Sequence, residues 1–277
     1  MSVRAAAEAP PCESAPNFRK YSAVYDLLYR DKDYAAESDY VGRKLRAAAP
    51  DARSILELGC GTGKHGRLLA EAGFDVHGIE RSPDMVALAQ STRGQAGAAA
   101  GGFACEVGDV RSLTLDRSFD AVIALFHVVS YQANDDDLLA TFRTAARHLR
   151  RGGLFLFDVW HGPAVLAQRP QPRVKEVSDA DLEVVRTARP KLDTARRTVT
   201  VSYDIACRDR HSGEVVRFSE DHVMRYLFPD EIDGLAARCG LHVIASEEFM
   251  TGRVPSASSW GVIYALRKPA AVSDSPR

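Results

Sequence analysis

Short apolar runs alternate along this chain with stretches whose apolar positions recur every three or four residues, and turn residues separate the two kinds. The alternation is most regular between Ser54 and about Trp160. SILEL (54–58) predicts a strand, Lys64–Ala72 a helix ended at Gly73, and DVHGIE (75–80) a second strand. Pro83–Gln90 predicts a helix with Ser82 placed to cap it. FACEVGD, FDAVIALF and LFLFDVW predict three further strands. The helix between the last two starts at Asn134, carries Asp135, Asp136 and Asp137 in its first turn, and stops at Gly152-Gly153. Strands alternating with helices of this length point to a parallel, doubly wound α/β sheet.

The flanking segments read differently. Before the first strand, Tyr21, Tyr25, Leu28 and Tyr29 recur at helical spacing, and Val41 and Leu45 continue an amphipathic run to Pro50. Between about Gln168 and Tyr226, LEVVRTA, RTVTVSYDIACR and EVVRFSEDHVMRYL are strand-like and are separated by turn and charge clusters such as His211-Ser212-Gly213. That stretch predicts an inserted antiparallel layer. Pro229–Cys239 then predicts a helix closed by Gly240, followed by the strands LHVIAS and GVIYAL. The polar, small-residue ends read as tails.

Composition narrows the classes. Lys and Arg total 36 against 37 Asp and Glu, a net charge of -1, so no bulk basic field argues for a nucleic-acid partner. No apolar run approaches the roughly 18–20 residues that span a bilayer, which argues against a membrane protein. Five scattered cysteines, never in a C-x-x-C pair, indicate neither a disulfide framework nor a metal site, and a reducing cytoplasm is the expected compartment.

The chemical signal is Glu57-Leu58-Gly59-Cys60-Gly61-Thr62-Gly63, at the end of the first strand. Glycines there allow a tight turn and close backbone approach to a ligand, with a helix N-terminus behind them. Glu80 ends the second strand, where an acid can accept both hydroxyls of a ribose. A nucleoside-containing ligand follows. Gly61, Gly63 and Gly66 also satisfy G-x-G-x-x-G, so an NAD(P)-dependent oxidoreductase is the competing reading.

The wider set decides between them: Glu57 ahead of the first glycine, Gly108-Asp109 closing the third strand, and paired strands at the C-terminus. These residues resemble the class I S-adenosylmethionine-dependent methyltransferases over about Tyr21 to Lys268. The resemblance implies an α/β fold: a doubly wound, mostly parallel seven-stranded sheet with helices on both faces, a C-terminal antiparallel hairpin, and here the inserted antiparallel layer. It implies a disordered tail (1–17), an N-terminal helical lid (18–50), a Rossmann-like core binding S-adenosylmethionine (51–167), a substrate-covering layer (168–226), the rest of the core (227–268) and a second tail (269–277).

The resemblance also implies roles. Glu57, Gly59, Gly61 and Gly63 shape the floor under the cofactor, and Glu80 holds its ribose. Asp109 and the Val110 amide take the adenine, flanked by Arg81 or Met85. Leu125 and Phe126 leave the fourth strand beside the sulfonium. Within the family the chain looks most like the small-molecule enzymes that methylate amino groups of nucleotide-linked deoxysugars, on Tyr25-Asp26-x-x-Tyr29, Lys32-Asp33-Tyr34 and Trp160. In that group the tyrosines close over the cofactor, with Tyr25 the expected contact and Tyr29 and Tyr34 facing the substrate. A packed helix face is the other reading of these rings.

The acceptor side departs from that pattern. Tyr131 stands where the sugar N-methyltransferases carry a histidine, and His161 follows Trp160 where a second tryptophan is expected. A neutral amine can attack an activated methyl unaided, whereas a hydroxyl must lose its proton and usually wants a base. His127, Tyr131 and His161 are the catalytic candidates, with Trp160 and His222 placed toward a small-molecule acceptor. No metal is implied. A methyltransferase-like binding module without catalysis is the third class, although the cofactor motifs are all present.

Overall fold

A computed structural model describes residues 24–91 and 101–270. The tail expected at 1–17, Tyr21, and residues 271–277 lie outside the described residues. The chain first forms a helical turn over 24–28 and then α1 (Tyr34–Ala48). The single amphipathic run expected up to Pro50 is thus two pieces. Asp33 makes the break, because its side chain accepts the Ala36 N–H at 2.9 Å and so starts a new helix.

The core follows the expected alternation: β1 (Ser54–Leu58), α2 (Lys64–Glu71), β2 (Asp75–Glu80), α3 (Pro83–Ser91), β3 (Phe103–Val107), β4 (Phe119–Ala124), α4 (Asp135–His148) and β5 (Leu149–His161). These five strands pair in parallel in the order β3-β2-β1-β4-β5. Two apolar clusters explain why the central strands read as unbroken apolar runs. Leu56, Leu58, Phe155 and Phe157 face one way, toward Leu138 and Phe142 of α4. Ile55, Leu154 and Leu156 face the other, toward Val41 and Leu45 of α1 and Leu69 of α2. A strand buried on both faces has no polar alternation to show.

Helix α4 ends at His148, short of the Gly152-Gly153 stop expected from sequence. A distant residue sets this end. The Lys268 ammonium donates to the carbonyls of Ala146 (2.7 Å) and Leu149 (2.8 Å), and the glycine pair is free to enter β5.

After β5 come α5 (Gly162–Gln168), β6 (Arg173–Ser178), β7 (Leu182–Asp193), β8 (Thr198–Asp209) and β9 (Val215–Leu227), the last four an antiparallel meander. This is the expected inserted layer, and it is anchored to the core. Tyr226 and Leu227 pair in parallel with Trp160 and His161, so the layer continues the core sheet from the end of β5. Its inner face packs on the N-terminal helical turn through Val24, Leu28, Val177, Val184 and Ile205. Helix α6 (Pro229–Arg238), β10 (His242–Glu248) and β11 (Gly261–Arg267) close the fold, with β11 antiparallel to both β5 and β10. The core therefore carries seven strands, the last two as the expected hairpin.

Candidate active site

The ends of β1, β2, β3 and β4 surround a cavity of about 460 Å³ at the C-terminal edge of the sheet, where open α/β folds bind ligands. Its floor is the loop after β1. Gly59 and Gly61 adopt left-handed backbone with φ of 71° and 54°. A Cβ on Gly59 would lie 2.5 Å from Val128 Cγ2, so only glycine fits. Gly63, also left-handed, lies past the cavity as the N-cap of α2.

Glu57 is buried beneath this loop and does not line the cavity. Its Oε2 has no hydrogen-bond partner among the described residues, and burial pushes its carboxyl up to about 8. The cofactor role expected of it is thus indirect, in shaping the loop from below.

Glu80 does reach the cavity. Its Oε1 accepts the Ser82 N–H at 2.9 Å and its Oε2 accepts the Gly61 N–H at 3.1 Å. The Arg81 N–H is a third backbone donor, and the carboxylate keeps acceptor capacity facing the cavity for a hydroxyl. Burial raises its carboxyl, and the backbone donors oppose that rise. Arg81, Met85, Val110 and Leu125 share the wall. Asp109 does so as well, but Arg111 already grips its carboxylate, Nε to Oδ1 at 2.9 Å and Nη2 to Oδ2 at 2.5 Å. That pairing holds the Asp109 carboxyl below the usual range. Any adenine amine at Asp109 shares it with this guanidinium.

The N-terminal segment forms the opposite wall. Tyr25 and Tyr29 pack with ring centroids 4.7 Å apart, and Tyr29 sets its edge on Phe126 at 5.1 Å. All three rings and Tyr34 line the cavity. Asp26 ties the segment to the glycine loop, accepting from Thr62 Oγ1 at 3.0 Å and pairing with Lys64 at 3.0 Å. Lys32 pairs with Glu37 and lies 4.7 Å from the Tyr34 and Phe126 ring centroids.

The acceptor candidates divide. Tyr131 ends a 3₁₀ turn (Val129–Tyr131) after β4 and is 43% exposed, into the cavity. Its hydroxyl lies 2.9 Å from Nδ1 of His222, whose Nε2 lies 3.2 Å from Glu220 Oε2. Burial pushes the Tyr131 phenol well above its ordinary value. His127, Trp160, His161 and His222 do not themselves line the cavity.

His127 turns aside to Asp158. Its Nδ1 sits 2.6 Å from Asp158 Oδ2, and its N–H faces both carboxylate oxygens at 3.2 Å. Phe126 and His127 both have positive φ, 61° and 65°, strain that Asp158 holds in place. Burial alone would raise the Asp158 carboxyl, and the His127 contacts more than offset it, so it falls below the usual range.

Trp160 and His161 were expected beside the reacting methyl because they follow β5. Pairing with β9 diverts them instead. Trp160 packs into the cluster of Val165, Val199 and Tyr226, and buried His161 is the N-cap of α5, its imidazole depressed by burial.

Asp158 and Glu220 were not identified from sequence, yet both left a signal. Asp158 is a lone acid inside the apolar run LFLFDVW. Glu220 shares the buried face of β9 with His222 and Met224 at two-residue spacing. Among the described residues no cluster of His, Cys, Asp or Glu is arranged to hold a metal, and no helix is long and apolar enough to cross a membrane.

Residues 55–153 match a methyltransferase domain. A dTDP-3-amino-3,4,6-trideoxy-alpha-D-glucopyranose N,N-dimethyltransferase of Streptomyces venezuelae is 34% identical over 53% of this chain; the match spans 60% of that enzyme. The crystal structure of Streptomyces venezuelae DesVI superposes with a TM-score of 0.75 at 27% identity, covering 90% of this chain and 98% of that one. CalS10, an amino pentose methyltransferase from Micromonospora echinaspora solved with S-adenosylmethionine bound, gives 0.70 at 26% identity, covering 92% and 99%. The chain carries a methyltransferase domain and the fold of the class I S-adenosylmethionine-dependent methyltransferases. These matches favour the methyltransferase over the dinucleotide oxidoreductase and over a module without catalysis. The cavity fits S-adenosylmethionine: Glu80 presents an acceptor carboxylate to ribose hydroxyls, and the glycine floor lets the backbone approach a ligand without a side chain between them.

Proposed function

We propose that the methyltransferase methylates the amino group of a small sugar acceptor, carried on a nucleotide, in the cytoplasm. The carrying observation is the two-sided cavity. One side holds Glu80 and the glycine loop, and the other is a wall of phenols from Tyr29 and Tyr131 set against the antiparallel layer. The amino-sugar methyltransferases among its relatives support the acceptor class.

S-adenosylmethionine, when bound, supplies a methyl already activated on a sulfonium. The protein's part is to bind, orient and exclude water. Glu80 would accept the ribose hydroxyls, with Met85, Arg81, Asp109 and Val110 around the base. Tyr25, Tyr29 and Tyr34 would close the cavity as a lid, with Asp26 as the latch on Thr62 and Lys64. Tyr131 would meet the acceptor. Holding the two partners in line supplies roughly 7–11 kcal/mol of the barrier.

Calorimetry with S-adenosylmethionine and its demethylated product, followed by mass spectrometry of nucleotide-linked amino sugars, tests this reading. Binding is expected, and Glu80→Ala should weaken it by about 1–3 kcal/mol, the usual loss for stranded polar partners. Tighter binding of NAD would overturn the cofactor side. Methylation of hydroxy sugars with no amino sugar turned over would overturn the acceptor side.

A further inference from the structure

We propose that Tyr131, His222 and Glu220 form a proton relay that takes a proton from the acceptor amine and stores it on His222, outside the cavity. The inference rests on the amine-acceptor reading above and adds how that amine becomes nucleophilic. At neutral pH a sugar amine is largely an ammonium, and an ammonium has no lone pair with which to attack a methyl group.

The geometry orders the three groups from cavity to interior. Tyr131 alone of them lines the cavity. His222 lies behind it, 5% exposed, with Nδ1 at 2.9 Å from the phenol, and Glu220 lies deeper, with Oε2 at 3.2 Å from Nε2. A carboxylate can only accept, so Nε2 carries the hydrogen and Nδ1 presents its lone pair to the Tyr131 hydroxyl. Every donor then points inward, the direction in which a proton must travel.

Glu220 is 4% exposed, and its Oε1 has no hydrogen-bond partner among the described residues. A carboxylate beside the imidazole supplies the counter-charge that an imidazolium needs in a buried site. The phenol does not have to ionise on its own. Tyr131 receives the ammonium proton on its oxygen as its own proton moves to Nδ1. The phenol is unchanged, the amine is neutral with its lone pair free, and the imidazole has become an imidazolium beside Glu220. One N–H bond is broken at the acceptor and one is formed at His222.

The groups facing the relay come from several elements. Tyr29 of the N-terminal turn, Tyr203 of β8, Glu80 at the end of β2 and Glu220 of β9 all act on Tyr131. Each raises its phenol and so keeps it protonated, able to pass a proton on. The Tyr203 ring also sets its edge on His222 at 4.9 Å, and Arg186 lies over Tyr203 at 4.6 Å. Sequence placement agrees: Glu220 and His222 are two apart on one face of β9, and the 3₁₀ turn after β4 brings Tyr131 to them.

In this scheme Tyr131 is the catalytic residue, and His222 and Glu220 are positioning residues behind it. The test is the pH dependence of kcat for wild type, Tyr131→Phe and Glu220→Gln, with cofactor affinity measured for each by calorimetry. Tyr131→Phe should lower kcat about 10²–10⁴-fold with cofactor affinity retained, the usual span for losing general-base help. Glu220→Gln should move the acid limb of kcat to lower pH, because the imidazolium loses its anionic neighbour. A kcat for Tyr131→Phe close to wild type, or an acid limb that Glu220→Gln leaves in place, would overturn the relay. Nitrogen-15 NMR of the histidine ring in the cofactor-bound wild type is an independent readout. His222 should be neutral with the hydrogen on Nε2; hydrogen on Nδ1 would overturn the relay even if no acceptor were known. Failure of the wild type to methylate any amino sugar would instead remove the acceptor reading.

Discussion

Replacing Glu57 with glutamine should stabilise the fold without cofactor, and the gain should grow with pH. Glu57 is 2% exposed, and burial pushes its carboxyl up to about 8, helped by the nearby Cys105 and Glu80 and opposed by Arg67 and the Gly66 N–H. In the unfolded chain the same group titrates near the ordinary glutamate value of 4.5. An acid whose folded pKa lies above its unfolded one weakens the fold as pH rises, beginning at the unfolded value and levelling off above the folded one. Integrating between those two values, wild type should lose about 3–4 kcal/mol relative to Glu57→Gln between roughly pH 5 and pH 8. Glutamine is nearly isosteric and keeps an oxygen for the Gly66 N–H, so packing changes little. Urea unfolding of both proteins at several pH values reads the gap directly. A gap that stays constant from pH 5 to pH 8 would refute the reasoning, since it would mean that Glu57 is ionised and compensated in the fold.

Two further substitutions probe the loops around the cavity. Gly59→Ala should destabilise by at least the roughly 1–2 kcal/mol of a left-handed alanine; it should also weaken cofactor binding, because the new methyl meets Val128 Cγ2 at 2.5 Å and the loop must shift. Retained cofactor affinity in calorimetry would count against that geometry. Asp158→Asn should cost about 1.5–3 kcal/mol of stability near neutral pH, the usual worth of hydrogen bonds to a charged group. Since the Asp158 carboxyl is depressed in the fold, its contribution is full above the ordinary carboxylate value and is lost as pH falls through the lower folded one. The gap between wild type and variant in thermal unfolding should therefore shrink in acid.

Local physics determined much of this protein from sequence alone. The alternation of apolar runs with amphipathic helices set the order and direction of the core strands, because a strand covered on both faces must be apolar throughout. ELGCGTG and Glu80 marked the ligand edge because close backbone approach there requires glycine. Ser82 and Asn134 marked helix starts, and both cap as their chemistry dictates. What sequence could not reveal depends on residues brought from far along the chain. Lys268 ends α4, Asp158 fixes the strained Phe126-His127 step, and pairing with β9 draws Trp160 and His161 away from the cavity where topology alone would have left them. The same pairing sets Glu220 and His222 behind Tyr131. Period-two burial along β9 shows which of its residues share a face, but only the docking of that strand on the end of β5 decides what the face meets.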